Sequence, residues 1–167
     1  MRPCFATGIA KQGSAFGEMH SVVYLSTQHL SADDQHALAI YLLGDAPPAP
    51  APLTPVKADA ARLAAGRNLY LDSCAGCHGT EGQGKPHVAV AMDGNSTLRQ
   101  ADPRNLIVPL LDGIEAQPFA GVEAMQAMPA YAGTYSDEQL AQLVNYLRAT
   151  WGGQPADVTA SQIKSLR

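Results

Sequence analysis

The chain has 167 residues, with 11 Lys and Arg against 15 Asp and Glu, a formal charge of −4 with neutral His, and 46% hydrophobic residues. That suits one ordinary domain, or a small domain with an appendage, and allows a real core. The acidic balance argues against a nucleic-acid binder, and no apolar run approaches the roughly 18 residues of a membrane span.

Residues 1–20 include Gly8, Lys11, Gln12, Gly13 and Glu18 without a continuous apolar stretch, whereas a secretory signal needs an apolar run of about 7 to 15 residues. Ser31 then opens a helical stretch that reaches Leu43 and carries Leu38, Ile40, Leu42 and Leu43. Residues 45–55 hold Pro47, Pro48, Pro50, Pro52 and Pro55, which excludes a regular helix or central strand. This stretch reads as an extended, semi-rigid linker between 1–44 and 56–167.

Beyond the linker, residues 58–73 combine alanines, Leu63, Leu69 and Tyr70 at helical spacing, and Asp59 near the start, predicting a helix. Its end delivers Cys74-Ala75-Gly76-Cys77-His78. The pattern C-x-x-C-H reads as attachment of a c-type haem. Cys74 and Cys77 can each form a thioether to a vinyl group, and His78 reaches the iron as proximal ligand. Structural zinc needs four ligands, but the only other cysteine is Cys4. A dithiol redox pair needs a thioredoxin-like setting, whereas Gly79, Gly82 and Gly84 follow here with no apolar strand before them. One covalent haem c is therefore predicted. Such haem is attached outside the bacterial cytoplasm, so an export signal is expected; none stands in 1–20, which predicts either a start further upstream or a fragment of a longer exported protein.

Residues 79–133 are rich in Gly, Pro and Asn, with a short helix expected around 103–112, and read as loops wrapped round something other than their own core. Ser136-Asp137-Glu138-Gln139 is a capping box, and Leu140, Leu143, Val144 and Leu147 form an apolar stripe that ends before Gly152-Gly153. They predict a terminal helix ending near Trp151. Ser31, Leu38, Tyr41 and Leu42 match Ser136, Leu143, Tyr146 and Leu147 at one constant spacing; a duplicated unit is the preferred reading, and the chance likeness of two capped amphipathic helices the competing one.

A second protein ligand to the iron would make an electron carrier, and His/Met ligation raises the potential. Met92, Met125 and Met128 follow the haem motif. Met128 is preferred because Pro129 stiffens its loop just before the terminal helix. Met125 is a substitute if that loop folds differently, and His87 reads as an exposed loop histidine. Asn95, Arg99 and Arg104 are candidates for haem propionate contacts, with surface solvation the competing role for each.

Gly66 and Tyr70 before the motif, Cys74 to Gly79, Met128-Pro129, and Leu143, Tyr146 and Leu147 together resemble a class I cytochrome c over 56–151. The resemblance implies an all-α fold in which Gly66 and Tyr70 meet Tyr146 where the first and last helices cross. More narrowly, Ser26-Thr27-Gln28-His29-Leu30-Ser31, Ala39-Ile40-Tyr41-Leu42, Asn105-Leu106-Ile107, Met128-Pro129-Ala130-Tyr131 and Asn145-Tyr146-Leu147-Arg148 resemble the multihaem cytochrome c subunit of membrane-bound alcohol, aldehyde and gluconate dehydrogenases. Those subunits carry three haem c domains, accept electrons from a PQQ- or FAD-dependent dehydrogenase, and pass them to a quinone or oxidase at the periplasmic face.

On that pattern, 56–167 matches the third haem domain, and 1–44 is the closing part of the second, an N-terminal helical appendage without its haem motif. Met19 stands at that domain's axial methionine, with no cysteines to match it. Cys4 falls outside the pattern. The proline-containing stretch whose carbonyl usually orients the proximal histidine is replaced by Val90-Ala91-Met92, so the usual acceptor for His78 is not predicted. The resemblance implies an electron-transfer module rather than an enzyme. The competing expectations are a truncated product with an exposed 31–43 helix, or an open-site haem sensor or weak peroxidase should Met128 not ligate.

Overall fold

A computed structural model describes residues 2–10, 13–47, 49, 53, 56, 59–121 and 124–167. In chain order they form α1 (Arg2–Thr7), the strands β1 (Ile9–Ala10) and β2 (Gly13–Ser14), α2 (Glu18–Leu25), α3 (Ala32–Leu43), α4 (Ala60–Ser73) and α5 (Ala75–His78). Next come α6 (Arg104–Asp112), β3 (Gln117–Pro118), β4 (Ala124–Met125), α7 (Asp137–Leu147) and α8 (Ala160–Lys164). The expected all-α class holds: the strands make only two small antiparallel pairs, β1 with β2 and β3 with β4. Pro48, Pro50, Pro52 and Pro55 of the expected linker lie outside the described residues, as do Met1, Lys11 and Gln12.

Local chemistry sets the helix ends. Asp59 accepts a hydrogen bond from the Ala61 amide to start α4, and Ser136 and Gln139 form the expected reciprocal capping box on α7, satisfying amides that lack helical partners. The stripe of α7 faces inward: Leu140, Leu143, Val144, Tyr146 and Leu147 are all buried. Burying each such side chain is worth about 1.5–3 kcal/mol.

The α4/α7 crossing needs a glycine. A Cβ on Gly66 would stand 2.2 Å from the Gln142 carbonyl oxygen and 2.7 Å from Tyr146 Cβ, so a hydrogen is all that fits. Beside the contact, Tyr70, Tyr146 and Trp151 form an aromatic cluster, with Tyr70 and Trp151 centroids 4.9 Å apart. The expected meeting of Gly66 and Tyr70 with Tyr146 is present. The terminal helix does not stop cleanly: Arg148–Gly152 continue it as a π turn, which brings Gly152 against the Leu98 carbonyl. Beyond the predicted end, α8 folds back and buries Ile163, while the Asn145 side-chain amide donates to the Val158 carbonyl and accepts from the Val158 amide, each at 2.9 Å. Thr159 and Gln162 repeat the capping box, a sequence signal for α8 that the reading above did not use.

The appendage packs on the larger unit. Val23 and Phe119 are both buried, and the His20 ring meets Phe119 edge to face at 5.2 Å.

Candidate functional site

Cys74, at the N-cap of the short helix α5, and Cys77 and His78 within it line an apolar crevice that Met128 also lines. Cys74 is buried and Cys77 exposed, and neither is in a disulfide. Burial, with the neighbouring Cys77 next, pushes the Cys74 thiol up to about 12, so it stays protonated in the protein alone. Among the described residues no group of three or more His, Cys, Asp or Glu side chains is placed to hold a metal ion.

His78 Nδ1 donates to the Val90 carbonyl at 2.8 Å. The sequence did not predict this acceptor; a backbone oxygen needs no proline to occupy that place, only a loop of the right path. Gly84 makes the path possible, since a Cβ there would be 2.6 Å from the Ala91 amide nitrogen. Burial lowers the His78 pKa against the opposing hydrogen bond to Val90, so the ring is held neutral with Nε2 as its free lone pair, the form that ligates metal.

Met128 is fixed from both sides. Its amide donates to the Ile114 carbonyl at 2.8 Å, and its carbonyl accepts from the Ile114 amide at 3.0 Å. Gly113, at φ +77°, allows this approach: a Cβ there would stand 2.7 Å from the Met128 oxygen. Tyr131, three residues on, donates its hydroxyl to the Ser73 carbonyl at 3.0 Å, and the Ser73 and Tyr135 hydroxyls are hydrogen-bonded to each other. The methionine loop is thereby tied to the end of α4. Neither Gly113 nor the tyrosine ties were singled out from sequence.

Met125 and Met92 also reach the crevice wall, and the Met125 backbone pairs with Gln117 in the β3/β4 hairpin. His87 is exposed, as expected. Of the three propionate candidates, Asn95 lies on the wall while Arg99 and Arg104 do not. The Asn95 side chain donates to the Ala91 carbonyl at 3.1 Å and accepts from the Thr97 amide at 3.0 Å. Thr97 and Asn105 supply further polar groups to the same wall. A flat, mostly apolar ring system with two acidic tails fits such a crevice, because two thiols, an imidazole and a thioether share its lining with apolar side chains, amides and hydroxyls.

The cytochrome c family model matches residues 63–151. The cytochrome c subunit of a quinone alcohol dehydrogenase from Gluconacetobacter polyoxogenes is 32% identical over 96% of the chain and 36% of its own length. The gluconate 2-dehydrogenase cytochrome c subunit of Pantoea cypripedii is 36% identical over 92% of the chain and 37% of its own length. Cytochrome c-552 of Thermus thermophilus is 29% identical over 61% of the chain and 83% of its own length. The chain thus spans little more than a third of the length of the two dehydrogenase subunits.

Proposed function

The chain belongs to the cytochrome c family, and from that premise we propose that it is an electron-transfer module carrying one haem c, bound through Cys74 and Cys77 with His78 and Met128 as axial ligands. The single observation that carries this reading is that Cys74, Cys77, His78 and Met128 line one crevice. A haem held there supplies a one-electron Fe(III)/Fe(II) couple. Cys74 and Cys77 fix its orientation, and Val90 holds the His78 ring so that Nε2 faces the crevice. The Ile114 pairing fixes the Met128 backbone, which would keep its thioether available to the iron. Apolar walls keep water out, which together with the methionine favours the reduced form.

Residues 1–44 are the closing part of a preceding cytochrome c unit, residues 45–55 link it to the haem domain of 56–167, and Met19 corresponds in position to that unit's axial methionine. The repeat of α7 by α3 supports this, as does the match of the dehydrogenase subunits to nearly the whole chain. The donor is accordingly a PQQ- or FAD-dependent dehydrogenase, the acceptor a quinone or oxidase, and the location the periplasmic face of the inner membrane. Among the described residues no helix is long and apolar enough to cross a membrane. Nothing in the crevice favours the open-site sensor reading, since Met128 lies on its wall.

The test is the oxidised protein matured with haem. It should hold one haem per chain that survives denaturation and show a sulfur-to-iron charge-transfer band, which Met128→Ala removes and Met125→Ala keeps. A band that persists in Met128→Ala, or tight imidazole binding without delay by the unaltered protein, would sink the assignment.

A further inference from the structure

The crevice is not walled by residues 56–167 alone. Gly13, Ser14 and Phe16 lie on it with Met125, Gln126 and Met128. We propose that residues 8–10 and 13–20 form a strap that closes the haem crevice with Phe16 and positions the Met128 loop through His20; this rests on the His78/Met128 reading above.

The strap is built, not draped. Ile9 and Ala10 pair with Ser14 and Gly13, and the Ala15 amide donates to the Gly8 carbonyl at 2.7 Å. At Gly13 a Cβ would touch the Asn95 side-chain amide at 3.4 Å, so the backbone lies against a residue of the crevice rim. At its two ends the strap grips the β3/β4 hairpin. Gly8, at φ +75°, packs so closely that a Cβ would be 2.7 Å from the Phe119 ring. His20 Nε2 donates to the Pro118 carbonyl at 2.7 Å while its ring stands on Phe119. Phe119 is buried but lies outside the main core of the larger unit, so its cover comes from the appendage.

That hairpin leads directly to the methionine. Its strands, Gln117–Pro118 and Ala124–Met125, lie between Ile114 and Met128, which pair with each other, and the Gln126 amide donates to the Val88 carbonyl on the proximal loop at 3.0 Å. Holding the hairpin tip restrains the one segment that must open for the thioether to leave. Phe16 adds apolar lining to the same crevice, which would keep water and small ligands from an iron held there by His78.

The experiment uses the oxidised, haem-loaded full chain and imidazole as the probe. Phe16→Ala and His20→Ala should keep the sulfur-to-iron band before mixing yet admit imidazole roughly tenfold faster, as expected when a local opening becomes easier by one hydrogen bond or ring contact. Phe16→Leu should restore the slow entry. Parent-like entry rates in both alanine variants would overturn the strap. If instead the unaltered protein lacks the band and binds imidazole at once, the Met128 assignment has failed. Amide exchange then decides the strap by itself: faster exchange at Ile114 and Met128 in His20→Ala, with α4 and α7 unchanged, supports it, and unchanged exchange there overturns it.

Discussion

Helices α3 and α7 repeat one another in sequence and differ in what covers them. Each starts at a serine whose hydroxyl accepts from the third amide of the helix, Ser31 from Asp34 and Ser136 from Gln139. Each carries Leu, Tyr and Leu at matching places. In α7 these side chains, Leu143, Tyr146 and Leu147, are buried beneath α4. In α3, Tyr41 is 86% exposed and Leu42 56%, and the one buried residue is a glutamine, Gln35, whose amide donates to the Thr27 and Leu30 carbonyls. The pattern that makes a core helix is thus a demand for a partner, not a guarantee of one. All the large apolar side chains left exposed among the described residues lie between Met19 and Leu53.

The sharpest way to break this comparison is to truncate the paired leucines. Leu147→Ala removes a side chain that is 1% exposed and should cost about 2–5 kcal/mol, read from the denaturant midpoint of the haem domain. Leu42→Ala, its counterpart, should stay within about 0.5 kcal/mol. Equal losses would mean that α3 is covered in solution.

A smaller effect tests the partner directly. Gly66→Ala forces a methyl into the Gln142 carbonyl and should cost about 1–3 kcal/mol by overpacking, with the loss seen in amide exchange across α4 and α7 and none in α3. Protection lost from α3 as well would show that the two units unfold together.

The parts of this molecule legible in sequence are those written in side-chain periodicity or in fixed spacing. The apolar stripe and capping box gave α7, Asp59 and the alanine run gave α4, and C-x-x-C-H marked the Cys74, Cys77 and His78 side of the proposed haem site. What stayed hidden depends on backbone atoms and on contacts between distant segments. The Val90 carbonyl that receives His78 carries no residue signature, because any amino acid supplies it. Gly113 matters only once Ile114 and Met128 are known to pair. The packing of His20 on Phe119 joins segments separated by the whole proline-rich stretch, so no local pattern announces it. Arg148 belongs with these: it is buried in the π turn with its guanidinium donating to the Ala101 carbonyl, whereas position alone marks it as a surface charge on a helix end.

The smallest expected effect separates helix formation from helix burial. Ser136→Ala removes an acceptor from an α-helix locked into the core, so its cost of about 1 kcal/mol should appear in the global stability. Ser31→Ala removes the same kind of bond from a helix that little packing supports, and a helix of 12 residues is marginal without tertiary contacts. Its cost should therefore appear as local fraying, with faster amide exchange at Asp34 and Gln35 and a denaturation midpoint unchanged for the haem domain. If Ser31→Ala instead lowers the midpoint as much as Ser136→Ala does, the appendage and the haem domain are one cooperative unit, and the strap contacts at Gly8 and His20 carry enough free energy to couple them.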